Sequence, residues 1–575
     1  MVFIVMTGTD NVPLSLRAGI ASGDPLITFG IGISVCTLDS QLLISGRAGL
    51  VIDGGAPQVT INAGPLSRVF EIANSTDIEF RNLIIQNGNV TGDGGGISLE
   101  SSGLVLSHCI VQNNNSSNGS FGGGGIFAND SELSILNCII GQNTSTNSLR
   151  GGGLFANATT LGISNSRIRT NSAGNGGGLD LSGGQSTISY SSISNNNATA
   201  NEGGGINANS GILEIVHSTI SGNTAFLNGG GIYNVASLTI QNSTIANNQV
   251  TPGGGLNGGG GIHFASPSSS SVINSTISGN NSNNSLGGGI LVFPPSFSPS
   301  IGNTIIAQNT GIFPDVAGTV MSLGFNLVGN GFGSVGFTMN DQVGGPPDGP
   351  IDPLLGPLED NGGPTFTMAL LPGSPAIDAG DDSLVPMGDI FDQRGPGFLR
   401  IINDQVDVGA FEFNPNVICY GGDSLVRVRA KASNGKPIIM KVRDIIANYY
   451  EVYSVSLGQY VPIKSNAVSG PVNHLFKIDK DAFEKSKPSD DFYITSGHMV
   501  VINGTEVKAR DIEQATKVKV ERQYVYSICT DKRCTIEVNG LEVPTWDYRK
   551  LLDYTGERGV NWTENGRYKK VEALV

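Results

Sequence analysis

Lysine is missing from the first 415 residues; the first in the chain is Lys431. That stretch carries 9 Arg against 28 Asp and Glu, a net of −19 (9 − 28), while residues 416–575 carry 24 Lys and Arg against 20 acids, a net of +4. The two add to the −15 of the whole chain. A step of this kind marks two domains, joined near Asn414-Pro415-Asn416. An acidic, lysine-free first part argues against nucleic acid as a partner. Cysteine is scarce as well: six residues, unclustered apart from Cys529 and Cys534, do not make a disulfide framework. No apolar run approaches the ~20 residues that span a membrane. Residues 1–6 are apolar but are interrupted at once by Thr7-Gly8-Thr9-Asp10, with no basic flank, so no secretory leader or export route is visible. With 38% apolar and only 14% charged residues, the composition is that of a folded chain.

Glycine is what the chain has in excess: 82 residues, all but 11 before residue 416, without the every-third-residue period of collagen. Glycine runs end in one aliphatic residue at Ile97, Ile126, Leu154, Leu179, Ile206, Ile232, Ile262 and Ile290, at steps of 25 to 30 residues. A second marker with the same period closes short β-prone runs at Asn114, Asn143, Asn171, Asn196, Asn223, Asn248, Asn280 and Asn309. Two independent markers with one period define an internal repeat. Each period interleaves apolar and polar residues, as in Leu213-Glu214-Ile215-Val216, and lacks a helical pattern. A coil of parallel strands stacked at ~4.8 Å meets these conditions. It predicts aliphatic residues stacked inside, an asparagine ladder at one bend, and glycines at corners that a Cβ would obstruct.

The repeat, spelled GGGI or GGGL with NSTISGN, resembles the right-handed parallel β-helix of polymorphic outer-membrane and choice-of-anchor proteins. Residues 352–412 resemble the C-terminal module of the choice-of-anchor group, through Asn361-Gly362-Gly363-Pro364-Thr365, Ser374-Pro375-Ala376-Ile377-Asp378-Ala379-Gly380, Asp392-Gln393-Arg394-Gly395 and Val406-Asp407-Val408-Gly409-Ala410-Phe411-Glu412. The resemblance implies an all-β chain with a long right-handed parallel β-helix of the pectin-lyase-like kind. It divides the chain into an N-terminal cap and first coils (1–93), repeat coils (94–310) and a cap module (311–415). It also implies an extracellular, surface-displayed, adhesin-like rod; in bacterial relatives a sorting anchor follows, and none is seen here.

A polysaccharide lyase or hydrolase is the rival reading of such a rod, but its chemistry needs clustered carboxylates and cations that sequence spacing does not reveal. Asp378, Asp381, Asp382, Asp392 and Asp407 concentrate near the end of the rod and are read as turn and cap carboxylates, with calcium binding as the alternative. His108 and His217 share a column with Asn137, Asn165, Asn242 and Asn274 and are read as ladder members. Cys109 and Cys138 fall in the next column, where serines follow, as small buried stack residues or a pair able to bond. Arg167 and Arg169 flank Ile168 on one face of a strand, either as solvated charges or as a binding patch. No metal or cofactor is expected.

The domain boundary carries Cys419, in Cys419-Tyr420-Gly421-Gly422-Asp423-Ser424-Leu425-Val426, and 76 residues later Thr495-Ser496-Gly497-His498 (495 − 419). With Val501-Ile502-Asn503-Gly504-Thr505-Glu506-Val507-Lys508 and the closing runs 525–528 and 536–543, residues 416–546 resemble a compact β-rich Hint (hedgehog/intein) domain, followed by a tail, 547–575. The resemblance makes Cys419 a thiol that attacks the carbonyl of Ile418, His498 the acid that protonates the departing nitrogen, and Thr495 an orienting hydroxyl. Cys529 is carried as a redox or supporting thiol, or a core residue; His474 is read as structural. Splicing is disfavoured, because the closing strand runs Val543-Pro544-Thr545-Trp546 and not into His-Asn. The 29 residues after Trp546 are too few for a sterol-binding module (575 − 546). The sequence therefore predicts a surface or virion-associated rod that binds carbohydrate or a host surface, oligomeric or not, with single-turnover self-cleavage at Ile418-Cys419. The alternatives are a polysaccharide-processing β-helix and a structural fibre with an inactive Hint module.

Overall fold

The computed structural model describes residues 1–413 apart from 65, 148, 252–257, 267, 294–297, 372 and 403–404. Beyond them it describes 420–421, 425–430, 437–441, 445, 450–478, 483, 492–494, 499–502, 505–508, 512, 515–530, 535–538, 541–544, 546–547, 560–562 and 568–570. Two compact units result, Met1–Glu412 and Phe413–Val575.

The first unit is an all-β parallel solenoid. The eight aliphatic residues after the glycine runs are backbone partners from coil to coil, Ile97 to Ile126, Leu154, Leu179, Ile206, Ile232, Ile262 and Ile290, and all are buried. A representative coil runs through the long strand Ile206–Val216, a corner at His217, the strand Thr219–Ser221, the asparagine bend at Asn223 and the short strand Thr224–Ala225. Each segment pairs in parallel with the same segment of its neighbours, giving three strand stacks around one aliphatic core. The glycines before Ile206 show why the run is needed. Gly203 sits at φ +67°, and a Cβ on Gly204 would stand 2.4 Å from the carbonyl of Gly230.

Two polar ladders line the bends. Each ladder asparagine donates Nδ2 to the Oδ1 of the next, as Asn196 does to Asn223 at 3.0 Å and Asn223 to Asn248 at 2.9 Å. In the parallel column the backbone NH of Cys138 donates to Ser166 Oγ, that of Ser166 to Ser191 Oγ, and that of Ser191 to Ser218 Oγ. Cys109 and Cys138 are buried members of this column and carry free thiols; the Cys109 NH donates to Cys138 Sγ at 3.2 Å. A short helix, Leu16–Ser22, capped by the Ser15 hydroxyl and ended by Gly23 at φ 84°, packs beside Phe3 and Ile27 at the first coils.

After the last coil strand, Gln342–Val343, the chain forms an antiparallel hairpin, Leu355–Glu359 with Thr367–Leu370, and returns over the outside of the second strand stack. Gln393 bonds to Thr219 and Thr244, the Ala410 NH donates to Thr276 Oγ1, and the Gly409 NH donates to the Asn303 carbonyl. Two buried arginines lock this return. Arg394 pairs with Asp392 and lies between the rings of Phe398 and Phe411, 4.1 and 3.7 Å from their centroids. Arg400, fully buried, donates to the carbonyls of Asp407 and Gly409 and pairs with Glu412.

The second unit is mainly antiparallel. Its long strands Gln459–Ile478 and Ala515–Thr530 pair along much of their length, beside Leu425–Ala430, Tyr450–Ser454 and Thr535–Val538, over a core that includes Val428, Val452, Ile463, Phe492 and Ile536.

Candidate functional site

Position by position, the residue after each inward aliphatic points outward from its strand, and the glycine loops cover it. Along consecutive coils this column reads Phe127, Phe155, Asp180, Asn207, Tyr233 and His263. Phe127 and Phe155 stack nearly parallel at 5.7 Å, with the half-exposed Phe121 over both. Asp180 is fully buried. It accepts from Asn207 Nδ2 at 2.8 Å, Asn209 Nδ2 at 3.0 Å and Arg150 Nε at 3.2 Å. Burial pushes its carboxyl up to about 6 against the opposing pull of Arg150 and the two amides. Further along, His263 is buried edge-on to Tyr233, and burial lowers it to about 4; neither ring nitrogen has a hydrogen-bond partner among the described residues. Asp180 therefore has its lone pairs occupied and its path to solvent closed. It is a fastening between coils and not an exposed acid or base.

Around the bend, a depression of about 440 Å³ is lined by Asp77, Asp130 and Glu132 together with Ser101 and Ser102. Among the described residues no three His, Cys, Asp or Glu side chains are grouped as metal ligands. The terminal aspartates act within turns: Asp381 caps the short helix Asp382–Leu384, Asp382 accepts from the Val406 NH, Asp407 from the Asp378 NH, and Asp392 holds Arg394.

The two histidines need correcting. His108 and His217 do share the column of Asn137, Asn165, Asn242 and Asn274, but it is a column of left-handed corners, with φ between 42° and 54° for all six, not a continuous amide ladder. His217 serves the returning module. Its Nδ1 lies 2.9 Å from the Asp392 carbonyl and its Nε2 3.2 Å from Asp389 Oδ1, and its ring stacks on Tyr190 at 4.7 Å. Sequence spacing could not supply Asp389 or Asp392, which lie more than 170 positions away (389 − 217 = 172). Arg167 and Arg169 stand exposed on one face of the strand Arg167–Arg169, on either side of buried Ile168.

Ile418, Cys419, Thr495 and His498 lie outside the described residues. Cys529 belongs to the strand Ala515–Thr530, where its backbone is opposite Ser465 and Trp546. The described residues that adjoin the candidate site in sequence are paired: Tyr420 is opposite both Ile494 and Tyr526.

No family model and no curated protein matches the sequence. Among solved structures, the chain is similar to the crystal structure of pectate lyase Pel9A, at 15% identity and a TM-score of 0.38, over 72% of this chain and 96% of that one. The likeness is one of fold alone.

Proposed function

We propose that the chain is an extracellular β-helical rod whose coil faces bind polysaccharide, and that its C-terminal unit cuts the rod free at Ile418-Cys419. The observation that carries the cleavage reading is the register of Tyr420 with Ile494 and Tyr526. Tyr420 follows Cys419 in the chain, Ile494 precedes Thr495, and Tyr526 lies in the strand that contains Cys529. The strand that follows Cys419 in the chain is thus paired with the strand that precedes Thr495, which supports the reading.

In the proposed reaction the Cys419 thiol adds to the Ile418 carbonyl carbon. The carbon–nitrogen bond breaks as His498 delivers a proton to the nitrogen, which becomes the free amino group of Cys419. The resulting thioester is hydrolysed by water, giving the Ile418 carboxylate and restoring the thiol. Thr495 orients the scissile amide. For the rod, binding is favoured over turnover by the buried acid of the outward column, Asp180, whose oxygens are occupied and enclosed.

Incubation of the full chain at neutral pH, followed by mass spectrometry, tests the reading. Fragments 1–418 and 419–575 are expected, formed faster with added thiol or hydroxylamine. Cys419→Ala abolishes them, His498→Ala slows them by ~10²–10⁴-fold and Thr495→Ala by less. A chain that stays whole under thiol, or cleavage that survives Cys419→Ala, overturns the mechanism. Turnover of an acidic polysaccharide by the chain would replace the binding rod with a lyase or hydrolase.

A further inference from the structure

Nine arginines are the only basic side chains other than histidine in the first unit, which holds 28 carboxylates. Seven of them donate to carboxylates or carbonyls of the same unit, as Arg81 does to Glu79 and Arg47 to the Ile20 carbonyl. Arg167 and Arg169 do not. Both are exposed, and neither makes an ion pair or a side-chain hydrogen bond among the described residues. Leaving two guanidinium groups unneutralised in a unit of net −19 (9 − 28) is a specific departure from how that unit treats its other cations.

Their surroundings suit a ligand. Ile168 between them is buried, so both side chains leave the same face, about 6.5–7 Å apart along the strand. The matching outward positions of the next coil are Ser192 and Ser194, both half-buried, and those on the preceding coil are Ile139 and Gly141, so short hydroxyls flank the pair on one side and no adjacent outward position of this stack carries a charge. Further along this strand stack, the same outward positions are occupied: Thr219, Thr244 and Thr276 bond to the returning module. That module reaches as far as Tyr190, against which Gly395 packs, in the coil that follows the arginines. The pair therefore stands on the uncovered part of the face, next to the step the module makes. A guanidinium offers two parallel N–H donors to a carboxylate or sulfate, and two on one face can hold successive anionic groups of a polymer.

We propose that Arg167 and Arg169 are the contact point for an anionic glycan, gripping its carboxylate or sulfate groups, with Ser192 and Ser194 bonding to sugar hydroxyls. This rests on the polysaccharide-binding reading of the rod and names the class of glycan. The test is binding of the full chain to immobilised polygalacturonate, a sulfated polysaccharide, a neutral glucan and single-stranded DNA. Binding is expected to one or both acidic polysaccharides, weakening with salt. Arg167→Ala with Arg169→Ala should lower that affinity by about 30-fold or more, as two charge-assisted contacts are lost. The doubly lysine-substituted chain should retain part of it, and Arg81→Ala should leave it unchanged. The carboxylated and sulfated arms tell which anion is read. Unchanged affinity in the double alanine variant, or equal capture of DNA, overturns the proposal. Binding confined to the neutral glucan overturns it while leaving the rod a glycan binder; binding to no polysaccharide overturns both.

Discussion

Asn309 ends the buried amide ladder on a carboxylate, its Nδ2 donating to Asp315 Oδ1 at 2.8 Å. Upstream, each asparagine both accepts and donates, so another must always follow. Asp315 needs no successor. One of its oxygens takes the backbone NH and Nδ2 of Asn309, and the other takes the Asn330 NH at 2.6 Å. Asp315→Asn would turn an amide donor toward the Asn330 NH, and should cost about 1–3 kcal/mol in a denaturant titration. Asn223→Ala, inside the ladder, should cost more, because Asn196 loses the acceptor of both its NH and its Nδ2. Hydrogen exchange should rise first in the coils on either side.

Burial moves two groups in directions that oppose each other with pH. Asp315 is raised to about 6, above the ordinary carboxylate value, so its contribution is complete below that ordinary value and is lost as pH rises through about 6. His263 is lowered to about 4, so its contribution is complete above its ordinary value of 6.5 and is lost as pH falls toward 4. His263→Phe keeps a ring edge-on to Tyr233 and removes the titration. Relative to wild type, the variant should gain stability progressively between pH 6.5 and 4, by at most roughly 3 kcal/mol. A constant offset across that range would show that His263 does not stay neutral in the fold.

What the sequence made legible is what repeats. Ile206 and Ile232 announced the core, and Asn223 and Asn248 the ladder, because stacking coils forces the same side chain into the same place at every turn. Asp180 was not legible: it occupies a column held by Phe155 on one side and Asn207 on the other, and its partner Arg150 comes from a covering loop whose path the period does not encode. The terminal module was legible as a motif and not as a place. Arg394 was read only as part of a family pattern and Arg400 not at all, yet they hold together the module whose Asp392 and Gln393 meet coils 175 and 174 positions earlier. Cys419 and His498 were read from local spelling alone, and both lie outside the described residues.

That return depends on His217. Both ring nitrogens face acceptors, the Asp392 carbonyl and the Asp389 carboxylate, while the ring covers Tyr190. Asn242 adds a second bond to Asp389, and Thr365 donates to the His217 carbonyl. His217→Ala removes the ring contacts and leaves the backbone bond. The coils should remain folded, but residues 389–412 should open more readily, seen as about 10-fold faster proteolysis or exchange there if ~1.4 kcal/mol of docking is lost. Unaltered protection of that segment would mean that the arginine network alone holds it.

The solenoid should fail locally and by position within a coil. Ile206 is fully buried between Leu179 and Ile232, whereas Ile212, in the same strand, is 53% exposed. Ile206→Asp places an unpaired carboxylate in an aliphatic stack, a change that costs several kcal/mol, more than one coil interface can offset. Because each coil contacts mainly its neighbours, the loss should spread over several coils and stop, leaving the ends protected in hydrogen exchange. Ile212→Asp should fall within about 0.5 kcal/mol of wild type, since its side chain already meets water. Ile206→Val separates volume from charge and should cost only about 1 kcal/mol. If Ile212→Asp proved the more costly of the two, the inward and outward faces of the strand Ile206–Val216 would have to be exchanged. A whole-unit collapse from Ile206→Asp would instead show that the coils fold as one cooperative block.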